Sequence, residues 1–283
     1  MSRSPCPRHG CGLRGKPHLL IPIAFGDREE RKGAGPRCRA MKRVRRIILT
    51  VLLLGLALFG GVLLYGYARS HPEDVPWTPL DLGDPVGAFT GRKLAGLADE
   101  GPRCQALLER AGVEFTALPG RSGGPQCGYS HAVRFTEGGA QQIGYRPAGL
   151  GTNCAVAAGL ALWEWHVVQP AAIEHFGRPV GTIEHFGSYS CRRLYGRGEG
   201  DWSEHATANA VDIAGFTLSD GTRIGIASDW DDGGARQRFL RDVRDGACDL
   251  FATVLSPDYN AAHRDHFHLD QANRGRLGWR GCR

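Results

Sequence analysis

The sequence predicts an α+β domain that follows one N-terminal membrane-spanning helix. Three observations predict it. Residues 47–67, "IILTVLLLGLALFGGVLLYGY", run for 21 positions without a charge. Residues 153–177 and 234–255 carry helical apolar patterns. Near and between them lie runs of β-formers, among them "AVDIAGFTL" and "TRIGIASDW" around "SDG", which reads as a hairpin. Helices mixed with antiparallel strands argue for an α+β domain. A chain of 283 residues with 42% apolar side chains can bury a core for it.

Residues 1–46 read as a basic cytoplasmic tail, with 13 Lys/Arg against 3 Asp/Glu. Residues 1–40 show no periodicity, and Met41 ahead of "KRVRR" makes a natural start, so they read as an extension. "CPRHGC" offers Cys6, His9 and Cys11 as half of a metal site, with no second half nearby. As a helix, residues 47–67 cross a hydrocarbon core of about 30 Å. The basic flank puts their N-terminal side in the cytoplasm. The run exceeds a signal-peptide core and "GYARSH" is a poor cleavage site, which predicts a signal anchor in the inner membrane, with a periplasmic or otherwise extracytoplasmic C-terminal part.

Residues 68–100, Pro-rich and polar at their start, read as a linker, and 101–283 as the exported domain. Within it, 102–113 predicts a short helix and 114–145 short strands broken by Gly. The 153–177 pattern opens at Asn153 as an N-cap, is interrupted at Pro170 and ends at Gly177. Residues 180–192 favour β structure. Leu240, Val243, Ala247, Phe251 and Val254 share one helical face, and "HFHLD" closes the pattern as a strand. "IEHFG" occurs at 173 and 183 in different predicted structure, a coincidence rather than a repeat.

Beyond residue 46 the chain holds 22 basic and 26 acidic residues, so no basic face is available for phosphates and no nucleic-acid partner is expected. Six cysteines follow the membrane run: Cys104, Cys127, Cys154, Cys191, Cys248 and Cys282. An even number in an exported domain predicts disulfides. Among the fifteen pairings, Cys104–Cys127, Cys191–Cys248 and Cys154–Cys282 are expected. "DWDDGG" at 229–234 lacks EF-hand spacing and reads as a solvated turn. His131, His166, His175 and His185 read as structural, and Trp163 with Trp165 as core plus interface.

The chemistry concentrates in "HRDHFHLD", residues 263–270. On a strand, His266 and His268 share one face while Phe267 and Leu269 point to the core. Two imidazoles at i and i+2 grip a metal, but a catalytic zinc site needs about three protein ligands. "SEHATANAVDIAGF" at 203–216 supplies the others, His205 ahead of the hairpin and Asp212 in its first strand. A carboxylate with two imidazoles suits Zn²⁺.

These segments resemble a zinc-peptidase superfamily. The pattern S-x-H-x-x-[GA]-x-A-x-D is met by Ser203, His205, Ala208, Ala210 and Asp212, and the closing H-x-H by His266 and His268. The superfamily groups lysostaphin-type enzymes, D-Ala-D-Ala metallopeptidases and the hedgehog domain. From about residue 100 onward the chain is more closely similar to the bacterial extensin-like C-terminal family, through "GSYSCR", "SEHATANAVDIAGF", "FLRDVRDGAC" and "VLSPDYNAAHRDHFHLD". Ala208 stands where the peptidases usually carry Gly.

The resemblance implies a hedgehog/DD-peptidase-like antiparallel sheet with flanking helices. It also implies zinc on His205, Asp212 and His268. His266 or Asp265 would be the general base, with His266 preferred because it shares the face of His268. Asp265 would otherwise orient a neighbouring ring. Arg192 would face the substrate carbonyl or carboxylate, and Ser203 would hydrogen-bond behind the ligands. The implied activity is hydrolysis of peptide bonds in cell-wall peptidoglycan. The alternative is a non-catalytic cell-wall-binding or structural protein that keeps the fold and perhaps the metal.

Overall fold

The structure is a computed structural model that describes residues 36–275 and 279–283. Cys6, His9 and Cys11 lie outside those residues. Helix α1, Pro36–Ser70, contains a stretch, Arg43–Ser70, long and apolar enough to cross a membrane. Leu53, Leu58 and Phe59 are exposed around it. A helix apolar on every side and unburied among the described residues suits lipid rather than a protein core.

The remaining helices are α2 (Thr90–Ala95), α3 (Gly101–Arg110), α4 (Cys154–Trp163), α5 (Gln169–Phe176), α6 (Ile226–Asp229) and α7 (Ala235–Leu250). Five short strands come first, at β1 (Val113–Ala117), β2 (Arg121–Ser122), β3 (Gly128–Tyr129), β4 (Ala132–Gly139) and β5 (Gly144–Arg146). Then follow β6 (Gly151–Asn153), β7 (Val180–Gly187), β8 (Ala210–Leu218) and β9 (Arg223–Gly225). The last are β10 (Thr253–Leu255), β11 (Phe267–Asp270) and β12 (Gly281–Cys282). The class is α+β, with several sheets.

The main sheet runs β12-β10-β11-β8-β7-β5, and β9 pairs with the second half of β8. It is mixed rather than antiparallel throughout. β5 lies parallel to β7 and β12 parallel to β10. Antiparallel β11-β8-β7 forms its centre. A smaller sheet, β1-β4-β6, lies at the start of the domain.

Helix α4 is the centre of the core. Every residue of "CAVAAGLALW" is buried, and its small side chains admit close neighbours. A Cβ at Gly159 would stand 2.9 Å from Gln271 Nε2 and 3.0 Å from the Phe251 ring. Trp163 packs on Phe216 and donates its indole N–H to the Val243 carbonyl at 2.8 Å, which joins α4 to β8 and α7. Truncating such a residue to Ala costs about 3–5 kcal/mol.

Asn153 caps α4 by accepting the Ala155 N–H at 3.0 Å, and Gly177 ends α5 at φ 67°. The interruption expected at Pro170 takes the form of one π-helical turn, Glu164–Val168. A proline ring in an ideal α-helix collides with the carbonyl four residues back, and the wider turn relieves this.

Other expectations are corrected. The stretch read as a linker contributes Leu82, Leu94 and Leu97 to the core. The hairpin's second strand stops at Gly225, where α6 begins. Helix α7 ends at Leu250. Phe251 is its extended C-cap, and Val254 belongs to β10. Arg280 fixes that end by donating to the carbonyls of Cys248 and Phe251 at 2.7 and 2.9 Å. The disulfides are Cys104–Cys154, Cys127–Cys191 and Cys248–Cys282, so none of the expected pairs forms. Packing of α3 against α4 sets the first pair, not nearness along the chain.

Glu164 is buried, and its Oε1 accepts the amides of Gln142 and Ile143 at 2.6 and 3.1 Å. Its Oε2 is buried without a partner. Burial raises its pKa above the usual carboxylate value, and the two amides oppose the shift only in part. The charged form therefore weakens the fold above the raised pKa, and that cost disappears as pH falls toward the unfolded value of about 4.5. Glu164→Gln should raise the urea midpoint at pH 8 and lose that advantage by pH 4.5. Equal or lower midpoints at pH 8 would show that the carboxylate itself is required.

Candidate metal centre

The centre begins with a register. β11 runs antiparallel to β8 with His268 directly opposite Asp212. Opposed side chains on one face of such a pair have Cβ atoms about 4.5–5.5 Å apart, within reach of an imidazole and a carboxylate.

His205 arrives from outside the sheet, on the 3₁₀ turn Glu204–Thr207 that precedes β8. Ser203 caps this turn, its hydroxyl accepting the His205 N–H at 3.3 Å. Ala208 closes it at φ 55°, in the left-handed region. Three donors converge on the Ala208 carbonyl: the Asn153 N–H at 2.8 Å, the Thr152 hydroxyl at 3.0 Å and the Ser188 hydroxyl at 3.1 Å. They hold the reversal that folds His205 back over Asp212.

The outcome is a triangle. His205 Nε2, Asp212 Oδ1 and His268 Nδ1 stand 3.1 Å from one another on all three edges. Atoms so spaced can all lie about 2 Å from one point, the zinc–ligand distance. The outer ring nitrogens are already engaged: His205 Nδ1 faces the Ser188 carbonyl at 2.6 Å, and His268 Nε2 faces Asp270 Oδ2 at 3.2 Å. With a neutral ring's one proton spent on each outer bond, three lone pairs face inward. Only a cation or an added proton reconciles them, and such outer partners are how ligating histidines are held. The donor set therefore fits a metal ion.

Electrostatics agree with this. Burial pushes the Asp212 carboxyl up, but the hydrogen bonds and charges of His205 and His268 outweigh it and hold it well below the usual carboxylate range. Burial likewise disfavours a charged His268, yet Asp212 and Asp270 prevail and push it up to about 9. The cluster is organised around positive charge.

Asp265 and His266 stand at the rim. His266 lies just ahead of β11 rather than on it, but its Nε2 is 3.6 Å from Asp212 Oδ1 and so still faces the triangle. Its Nδ1 is 2.9 Å from Asp265 Oδ1. Arg192 sits beside Cys191 of the Cys127 disulfide, and its carbonyl accepts the Ser203 N–H at 3.1 Å. Its charge reaches His263, helping to lower that ring's pKa. Ser203 bonds the turn's backbone rather than a ring.

Sequence reasoning gave no role to His263, Asp270 or Ser188. His263 is buried, 5.2 Å centroid to centroid from His266, and its Nδ1 is 2.8 Å from Asn260 Oδ1. Burial first, then the His266 and His268 charges, depress it to about 4, so it stays a neutral imidazole. Strand alternation could have found Asp270, two residues beyond His268. Nothing in the sequence marks Ser188, whose carbonyl acts through the backbone.

Two clefts meet the centre. One of about 770 Å³ reaches His268 past Tyr195, Glu204 and Tyr259. The other, about 900 Å³, reaches Asp265 past Phe186 and Arg223.

The family described as Extensin-like protein C-terminus matches residues 102–283. No curated protein and no solved structure matches the chain.

Ala208 yields a test of the turn. Replacing it with Gly relieves a left-handed cost of about 1–2 kcal/mol and removes a buried methyl worth about 0.8 kcal/mol. Ala208→Gly should therefore leave the unfolding midpoint near the parent's, whereas Ala208→Val should lose about 2 kcal/mol or more. Thermal unfolding followed by circular dichroism decides, and equal tolerance of both variants would mean the turn is not fixed as described.

Proposed function

This chain belongs to the family of extensin-like protein C-termini, and we propose that it is a membrane-anchored, exported zinc peptidase acting on peptide bonds of cell-wall peptidoglycan. One observation carries the reading: a triangle of two imidazoles and a carboxylate with both outer ring nitrogens engaged, and a paired Asp265–His266 at its rim. Peptidoglycan as the substrate rests on the resemblance to the zinc-peptidase superfamily and on export.

His205 Nε2, Asp212 Oδ1 and His268 Nδ1 would hold the ion. Zinc there would polarise the scissile carbonyl and make water acidic enough to attack near neutral pH. His266 takes the proton of the attacking water at Nε2, the nitrogen turned toward the triangle, and returns it to the leaving amine. Asp265 accepts the Nδ1–H, which fixes the tautomer in which Nε2 is free to act. That arrangement favours His266 over Asp265 as the base. Arg192 would neutralise a substrate carboxylate or the charge that develops on the carbonyl oxygen. In this reading the basic flank 42–46 keeps the N-terminus cytoplasmic, and the domain lies where its three disulfides persist.

The test is turnover of purified muropeptides by the zinc-loaded protein, read by mass spectrometry beside bound zinc. His266→Ala should lose about 10²–10⁴-fold in rate and keep its zinc. His268→Ala should lose both. Asp265→Asn should be slowed less than His266→Ala, and the reverse order would make Asp265 the base. A parent that binds zinc and cuts no muropeptide belongs to the non-catalytic reading.

Topology has a separate check. A reporter active only outside the cytoplasm, fused after Arg283, should be active, and one active only inside should be silent. The opposite pattern would remove the cell-wall assignment.

A further inference from the structure

A third cavity, of about 640 Å³, adjoins the cleft that ends at His268, and the two share Arg274 and Trp279. Four basic residues line it: Arg92, Lys93, Arg274 and Arg280. No Asp or Glu is among its described lining residues, although the chain beyond residue 46 is net acidic. None of the four joins an ion pair among the described residues. Lys93 donates to the Pro72 carbonyl and the Thr78 hydroxyl at 2.7 and 2.9 Å, and Arg274 to the Thr253 hydroxyl at 2.7 Å. Neutral acceptors thus orient Lys93 and Arg274, while Glu73, Asp74 and Asp84 act on Lys93, Glu204 on Arg274 and Asp249 on Arg280 only from beyond ion-pair distance.

The walls are aromatic. Trp77 and Trp279 are 74% and 66% exposed, far more than folding alone would leave on indoles. The Arg274 guanidinium lies 5.1 Å from the Trp279 ring and that of Arg92 5.6 Å from Phe89. Gly91 leaves the room Arg280 needs, since a Cβ there would stand on its guanidinium. Exposed rings beside cations free of direct ion pairs suit a ligand that is apolar or sugar-like on one face and anionic on another.

We infer that this cavity is a second subsite of the groove, holding a carboxylate-bearing arm of a glycopeptide whose scissile bond lies at the triangle. The inference rests on the peptidase reading for its ligand. Continuity through Arg274 and Trp279 favours that ligand over a lipid headgroup, which would have no reason to reach His268.

The experiment uses full-length protein in detergent, in a His266→Ala background so that the probe survives. The probe is a disaccharide-tetrapeptide muropeptide, compared with the same molecule after amidation of its carboxylates, by calorimetry. Arg92→Gln and Arg274→Gln should each weaken binding of the free acid by about tenfold, the size of one charge-assisted hydrogen bond. The amidated probe should bind weakly and ignore both substitutions. Bound zinc, unchanged in the variants, reports an intact fold. Equal binding of the free acid by parent and variants overturns the subsite, as does arginine-dependent binding seen only with anionic-lipid vesicles. The two readings fail separately. Arginine-dependent binding in a chain whose His266 form cuts nothing removes only the peptidase activity, whereas cleavage with KM untouched by both substitutions removes only the subsite.

Discussion

The pairing of β8 with β11 is the constraint on which the rest of this domain depends. Its register sets Asp212 against His268 on one face and buries Val211, Ile213, Phe267 and Leu269 on the other. A slip of one residue in β11 would turn His268 into the core and bring Phe267 and Leu269 out, separating His268 from Asp212. The apolar alternation thus enforces the register, and the register makes half the centre. Helix α4 and Trp163 hold the covered face of that sheet against α7, so the core's packing also fixes the geometry of the site.

His205 is positioned differently. It stands on a turn whose last residue is left-handed, and the turn persists because Asn153, Thr152 and Ser188 all donate to one carbonyl. Two of those donors lie at the end of β6, next to Cys154 of the bond to Cys104. The third lies on the segment leading to Cys191. Removing a disulfide from a small exported domain typically costs about 2–5 kcal/mol. Here the covalent links also tether the segments whose donors shape the turn.

The polar cluster is satisfied outward and unsatisfied inward. Asp270 and the Ser188 carbonyl engage the far sides of the two rings, and Asp265 engages His266. What remains inside is three lone pairs 3.1 Å apart, an arrangement unfavourable in a buried site unless positive charge joins it. The residues behind the ligands thus decide what the ligands can hold.

By itself the sequence determined the α+β class and the apolar span and singled out His205, Asp212 and His268, because each is a local pattern. A 21-residue uncharged run, the alternation of "HFHLD" and the spacing of His205 from Asp212 can be read without a fold. Pro170 and Gly177 likewise announce a disturbed helix and its end. Only the tertiary structure decided the disulfide partners, since pairing depends on which elements pack together and fifteen pairings satisfy the same six cysteines. It alone made β5 and β12 parallel to their neighbours and drew Leu82, Leu94 and Leu97 from an apparent linker into the core. It alone brought the Ser188 carbonyl to His205 and packed His263 against His266 and His268. A backbone carbonyl leaves no mark in a sequence, and a side chain's role there is set by what lies across from it, not beside it.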